Sequence, residues 1–506
     1  MSNDRNYAAA VQALNSLQSN FSAVEAIRKQ GPGWNQRALP EMRSWVRRIR
    51  YEPSDFDTLN LIHIAGTKGK GSTSSFVSSI LAQYLPTKKS VHAERLPTSV
   101  GLYTSPHLRF VRERIQIDGR PIPEEQFAKY FWEVWDKLES TTATSEDAEA
   151  RNISGKPVYF HYLTLMALHC YMQEKVGTAV IECGIGGEYD TTNILEKPLT
   201  TGVTSLGIDH VAMLGDTIES IAWHKAGIFK PGVPAFTAPQ PEPALVVLRE
   251  RAEQIGTELQ VIDEHPALQH VKLGLQGDFQ RINASLAIAI CTSHLSRLGY
   301  IPATALDPTS ELPEEFIKGL ETAHLGGRCE TRHDMKLKGL TWYIDGGHTL
   351  ESIEMAGRWF ASATPTDATR ILIFNQQTRD APALARRLHS TLATALADSH
   401  PFKHAIFCAN TTYKDAGYKA DLVSMNTSKD DVDSLKVQRE LAQAYDEIDP
   451  EAKVHVLGTI EEAVAQARVL ACDKTVEVLV TGSLHLVGGV IEVLGSETEM
   501  AHETRL

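Results

Sequence analysis

His63-Ile-Ala-Gly-Thr-Lys-Gly-Lys-Gly-Ser-Thr73 sets glycines, a lysine and hydroxyls between an apolar run, Leu59 to Ile64, and a Ser-rich helical pattern from Gly71 to Leu85. Small residues let backbone N–H groups curl around a phosphate, and a helix N-terminus adds positive potential. Lys70 supplies a charge for the outer phosphates, so the expected ligand is a nucleoside triphosphate. The usual G-x-x-x-x-G-K-[ST] pattern would need glycine at Ile64 and a hydroxyl at Gly71. What stands here is the compact form GTxGKGS. The alternative is a Gly/Lys turn that binds nothing.

Working outward, the same strand-to-loop texture recurs. Thr178 to Cys183 runs into Gly184 to Gly187, and Gly202 to Leu206 runs into Gly207, Asp209 and His210. Strands that each end in glycine and polar residues before a helix describe an open, mostly parallel sheet with ligands at its carboxyl edge. Ahead of it, Val11, Leu14, Leu17, Phe21, Val24 and Ile27 form the stripe of an amphipathic helix over 7–28. After Asn283 a helical pattern, Ala284 to Leu298, gives way to an irregular stretch from Tyr300 to Leu312. Beyond a junction at 318–328, short strands at Trp342 to Asp345, Ile371 to Asn375, Ala405 to Cys408, Lys453 to Leu457 and Val476 to Thr481 alternate with helical segments. The fold class is therefore α/β: an N-terminal P-loop ATPase-like domain over 1–320 and a smaller Rossmann-like domain over 326–506. Pro86 to Ser99, Ser140 to Ser154 and Thr411 to Lys436 read as surface insertions without chemistry.

Three further constellations carry chemistry. Glu182 ends a strand beside Gly184-Ile-Gly-Gly187, where a Mg2+ bridging nucleotide phosphates wants an oxygen ligand; a solvated carboxylate is the other reading. His210 follows a strand, as a metal ligand or an ordinary loop histidine. Lys225 lies among Ile221, Trp223, Ile228 and Phe229, where an ammonium is costly unless it snorkels to water. In the second domain Gly326-Gly-Arg328, Tyr343-Ile-Asp-Gly-Gly-His348, Asn375 to Asp380 and Thr481-Gly-Ser-Leu-His485 mostly sit just past a strand and converge on one sheet edge.

Composition bounds the rest. The chain has 506 residues, 42 % of them apolar and 22 % charged, with a formal net charge of −13, which argues against a general nucleic-acid binder. No apolar stretch reaches the 18 to 20 residues a membrane span needs. Six cysteines without a CxxC pair suit a reducing compartment. Asp4 and Glu25 break any signal-peptide or presequence pattern, so the cytoplasm is expected, with a mitochondrial isoform left open.

The order of these motifs, with Tyr103-Thr-Ser-Pro-His-Leu108, Val111-Arg-Glu-Arg-Ile-Gln-Ile-Asp-Gly119, ECGIGGEYDTTN, GIDHVAMLGDT, WHKAGIFKPGVP, DGGHT and VTGSLHLVGG, resembles the folylpolyglutamate synthases of eukaryotic type, within the Mur ligase superfamily. That resemblance implies ATP-dependent ligation of L-glutamate to the γ-carboxylate of a folate's glutamyl tail through an acyl phosphate. It implies ATP, Mg2+ at two sites and an accessory monovalent cation, reduced folates and L-glutamate as substrates, no nucleic acid, no membrane span and a monomer. Carried over by position, Gly66, Thr67, Lys68, Gly69, Lys70, Gly71, Ser72 and Thr73 hold the triphosphate, with Asn283, Arg328 and Asp345 on the nucleotide. Ser105 and Glu182 ligate the first Mg2+ and His210 a second. Lys70, Lys225 and His348 are catalytic, and Lys225 matches the lysine that is carbamylated in the superfamily. Arg114 and Asp190 contact the folate, Arg379 and Ser483 the incoming glutamate. Departures are Gly347 for alanine in DGAH, Gly326 for the proline of PGR, and Phe279-Gln280 for a His-Gln pair. Dihydrofolate synthase, or a bifunctional enzyme, differs only in the acceptor and stays open. A GTPase-like switch would need an NKxD-type motif, and none follows the loop at suitable spacing.

Overall fold

The computed structural model describes residues 5–18, 36–85, 98–141, 155–301, 311–377, 379–414, 435–471 and 475–503. The insertions expected at 86–99, 140–154 and 411–436 fall mostly outside them. The chain divides into two compact units, one of Met1–His107, Val111–Gly274 and Phe279–His324, the other of Leu108–Phe110, Leu275–Asp278 and Leu325–Leu506. A single cut near residue 320 therefore misses two short segments. In the second unit Leu108 packs by Gly327, and Arg109 pairs with Glu492 at 2.5 Å.

The first unit is built on eight strands: β1 Ile62–Ala65, β2 Val100–Tyr103, β3 Ile115–Ile117, β4 Arg120–Pro121, β5 Thr178–Glu182, β6 Thr200–Val203, β7 Ala235–Thr237 and β8 Leu259–Val261. Their order is β4-β3-β2-β5-β1-β6-β7-β8. All neighbours from β2 to β8 pair in parallel, and β3 and β4 add an antiparallel edge. β1, β2, β5 and β6 are buried along their whole length, as strands covered on both faces must be. β1 sits centrally, with Ile64 opposite Glu182 on one side and Gly202 on the other. The loops after β1, β5 and β6 therefore emerge side by side at the carboxyl edge. Sequence periodicity did not separate the β3–β4 hairpin, whose turn Asp118-Gly119 has both φ values positive, the Asp-Gly signature of a two-residue turn.

The second unit has β9 Glu330–His333, β10 Leu340–Ile344, β11 Thr369–Phe374, β12 His404–Cys408, β13 Lys453–Leu457 and β14 Val476–Thr481, in the order β13-β12-β11-β14-β10-β9. Only β9 is antiparallel. Trp342, Ile344, Ile371, Ile373, Val478 and Val480 form its core with the helices Ile460–Leu470 and Leu484–Glu503.

Element ends shift in physically legible ways. The strand expected from Leu59 starts at Ile62, because Leu59 closes a 3-10 helix, Pro53–Leu59, and Asn60 turns the chain with φ 43°. The first helix spans Tyr7–Asn15, with Asn6 capping the Ala9 N–H; Phe21, Val24 and Ile27 lie outside the described residues. Five cysteines are free and buried, and Cys472 lies outside the described set.

One buried charge ties the second unit together. Asp334, whose side chain is wholly buried, accepts from Trp342 Nε1 at 2.9 Å and from Arg468 at 2.8 and 2.9 Å. Burial opposes its charge, but Arg468 and Trp342 outweigh it and hold the carboxyl below its ordinary range. A depressed carboxyl contributes stability above its unfolded pKa that is lost as pH falls through the folded value. Arg468→Met should lower stability by on the order of 3 kcal/mol, or roughly 6–12 °C in melting temperature, at pH 7. Calorimetry at pH 7 and below pH 3 checks this, and the mutational loss should shrink at the acid end.

Candidate active site

The loop expected to bind phosphate leaves β1 and ends in the helix Lys70–Ala82. Gly69 caps that helix with φ +88°, a conformation that favours glycine, and any side chain there would overlap Asn283 Oδ1. The Thr67 and Lys68 N–H groups both donate to Ser205 O at 3.0 Å, and Thr67 Oγ1 donates to Gly207 O at 3.1 Å. Lys68 Nζ stands 3.8 Å from Asp209, and Lys70 Nζ donates to Gly66 O at 3.0 Å. The loop is thus laced to the segment after β6 that carries His210. From below, Gln280 donates to Ser72 Oγ at 3.1 Å and accepts from Asn283 at 2.9 Å. The Phe-Gln departure thus keeps its glutamine at work under the loop. Thr73 is fully buried, and its Oγ1 has no partner among the described residues.

On the neighbouring strand Glu182 is 2 % exposed and accepts from the Thr104 hydroxyl and from Ser105 N–H at 3.1 Å. β2 pairs with β5 through Tyr103 and Ile181, which brings the Thr104-Ser105 turn to the Glu182 carboxylate. Thr104 went unread in the sequence, where only Ser105 stood out. His210 is exposed, with φ 52°, just before the short helix Val211–Leu214. Among the described residues no three His, Cys, Asp or Glu side chains converge closely enough to hold a metal by themselves. A cation here would depend on phosphate oxygens, which is how Mg2+ is usually bound.

The glycine loop after β5 is fixed from inside. Asp190 Oδ1 accepts from Thr192 N and Oγ1 at 2.9 and 2.6 Å, and Oδ2 accepts from Ile185 N at 2.9 Å. Burial raises its pKa against those donors. His63 Nε2 lies 2.9 Å from Thr192 Oγ1 and 3.0 Å from Cys183 Sγ, and burial drops this imidazole to about 3. Lys225, 2 % exposed, is carried by the helix Ile218–Ala226. Burial, then Lys70, lower its pKa to about 7, against Cys183, Asp190 and Asp209. It is a buried amine and does not snorkel. Arg114 is buried, donates to His107 Nδ1 at 2.9 Å and lies 5.6 Å over the Tyr159 ring.

In the second unit Asp345 accepts from Cys329 N at 2.9 Å and Gly347 N at 2.8 Å, and burial raises its pKa although Arg328 opposes the rise. His348 lies 2.9 Å from Gly346 O through Nδ1. Gly482 N bonds Gly347 O, Gln376 bonds Gly482 O, and Asn375 joins Asn410 and Gln438. The ends of β10, β11, β12 and β14 therefore share one polar edge. Ser483 is buried there and accepts from His485 N, whereas Arg379 is exposed.

Comparison with known proteins places this arrangement. No protein-family model matches the chain. Folylpolyglutamate synthases from Saccharomyces cerevisiae strains FostersO and S288c are each 48 % identical over 493 residues, 97 % of this chain and 87 % of the relative. The chain belongs to the folylpolyglutamate synthases. Among solved structures, the Mycobacterium tuberculosis folylpolyglutamate synthase complexed with ADP and AMPPCP has a TM-score of 0.66 at 21 % identity, covering 94 % of this chain and 98 % of that one. The apo form of the L. casei enzyme gives 0.64 at 22 %, covering 94 % and 100 %. The fold is the two-domain, Mur ligase-like α/β fold of these synthases.

Gly69→Ala should weaken binding of a non-hydrolysable ATP analogue by about tenfold or more, since the loop must move to clear Asn283. Titration calorimetry beside an unchanged circular-dichroism spectrum checks this.

Proposed function

We infer that this chain ligates L-glutamate to the γ-carboxylate of a folate's glutamyl tail, driven by ATP. The observation that carries this reading is the meeting, at one sheet edge, of the phosphate-binding loop, the Thr104-Ser105-Glu182 oxygens and the buried Lys225, in a chain of this family. A carboxylate does not condense with an amine at neutral pH. Its oxygen first attacks the γ-phosphorus of ATP, the bond to ADP breaks, and an acyl phosphate forms. The glutamate amine then attacks the acyl carbon, phosphate leaves, and an amide with one released proton remains.

In this reading the loop Gly66 to Thr73 cradles the triphosphate and Lys70 swings from Gly66 O to the outer phosphates. Ser105 and Glu182 hold one Mg2+ and His210 a second; bound there, the ions neutralise charge that builds on the transferring phosphoryl group. The monovalent cation has no donor set that we assign. Lys225, whose amine is largely uncharged above about pH 7, attacks CO2 in that neutral form, forms an N–C bond and loses a proton. The resulting carbamate offsets the local positive charge. Arg114 is the folate contact. Asp190 acts on the folate through the loop it holds, since its oxygens are already engaged. Arg328 and Asp345 serve the nucleotide, His348 the reacting phosphate, and Arg379 and Ser483 the glutamate. No helix among the described residues is long and apolar enough to cross a membrane.

Purified protein given ATP, Mg2+ and glutamate should release ADP with tetrahydrofolate and not with dihydropteroate. Turnover on dihydropteroate alone would make it a dihydrofolate synthase. Lys70→Ala and Glu182→Gln should each lower kcat/KM by ~10²-fold or more while still folding. Lys225→Ala should be nearly inactive, with acetate or formate restoring part of the rate. Because the amine charges below about pH 7, carbamate formation and rate should fall as pH drops through that value. A normal rate in Lys225→Ala would remove this role.

A further inference from the structure

The last turn of a helix leaves backbone carbonyls without intrahelical donors. At the end of the Lys225 helix, Glu188 N–H donates to His224 O at 2.7 Å, and Asn193 Nδ2 donates both to Gly227 O at 3.0 Å and to Glu188 O at 3.1 Å. The other end of the Asn193 amide is committed too, since Oδ1 accepts from Lys230 Nζ at 3.0 Å. An ammonium can only donate, so Lys230 fixes which end of the amide faces it and sends both N–H groups to the two carbonyls. Contact is close enough that a side-chain carbon at Gly187 would stand 2.5 Å from His224 O and 2.9 Å from Lys225 O. On the outer side Glu188 pairs with Arg251 at 2.5 Å, and Arg251 lies 4.7 Å over the Trp223 ring. Asn193 itself is buried, and its backbone N–H returns to Asp190 O.

We propose that Asn193 and Lys230 are positioning residues that brace the Lys225 helix end against the glycine loop after β5, setting where the Lys225 side chain reaches relative to Glu182. The two motifs ECGIGGEYDTTN and WHKAGIFK are then one mechanical part, with Asn193 as its joint and Lys230 as the group that orients the joint. Aspartate at 193 would keep the Lys230 contact but put an anion against two carbonyls. Methionine at 230 would free the amide to rotate.

The proposal rests on the reading of Lys225 as a carbamate-bearing residue, and the test separates the two. kcat, KM for ATP and the 13C carbamate signal are measured for Asn193→Ala, Lys230→Met, Lys230→Arg, Lys225→Ala and the double variant Asn193→Ala/Lys225→Ala. Asn193→Ala and Lys230→Met should each lower kcat by about 10–100-fold, the usual cost of losing an outer support, with KM for ATP within about twofold. Lys230→Arg should recover most of the loss in Lys230→Met. The carbamate signal should weaken with kcat, and the double variant should be no slower than Lys225→Ala, because the brace acts through that lysine. Losses that multiply in the double variant, or a normal rate in Lys230→Met, would overturn the brace. If Asn193→Ala does not fold, the Lys230→Met and Lys230→Arg pair decides by the same criteria. A fully active Lys225→Ala would instead sink the underlying reading of Lys225, and the brace with it.

Discussion

An amine that is only 2 % exposed sits at the carboxyl edge of the first sheet, close enough to Lys70 to be depressed by it. A buried cation beside a second cation has few stable forms: it loses its proton or gains an anionic group. The architecture around it follows. β1 is central so that its loop opens between the ends of β5 and β6, which deliver Glu182 and the Ser205–His210 segment. Asp190 spends its oxygens on its own loop, which keeps that carboxylate beneath the glycines.

The glycine-rich loop after β1 carries its own constraint. The Thr67 and Lys68 N–H groups are engaged by Ser205 O, and the Lys70 ammonium by Gly66 O. On the proposed reading, a triphosphate seated in this loop would exchange these contacts for its own oxygens. The same contacts tie the loop to the Ser205–Gly207 segment that leads to His210.

Much of this was legible from residue order. The apolar runs ending in glycine located β1, β5 and β6, and the later runs located β10 to β14, because strands covered on both faces read as near-continuous apolar stretches. The neighbours Trp223, Ile228 and Phe229 left Lys225 either buried or snorkelling to water, and its 2 % exposure decides for burial. Other contacts were invisible because they join residues far apart in sequence. Nothing in Thr104 announces that it will meet Glu182, or in Asn193 that it will cap a helix ending at Ala226. The pairing of Asp334 with Trp342 and Arg468 was hidden for the same reason. Asp190 is expected from the resemblance to contact the folate, and a sequence does not show that the same loop supplies donors to both oxygens of that carboxylate. The Leu108 and Leu275 segments show that a domain boundary drawn as one cut misses short excursions of the chain.

The central claim is that the Lys225 amine works as a captured anion. Its most direct test is to strip dissolved CO2 from the enzyme at pH 6 and follow the recovery of ligase activity after return to pH 8 with and without added bicarbonate. The account predicts that activity is lost and returns slowly, with a rate that rises with bicarbonate and with no recovery in its absence. Full activity on return to pH 8 without bicarbonate would contradict it.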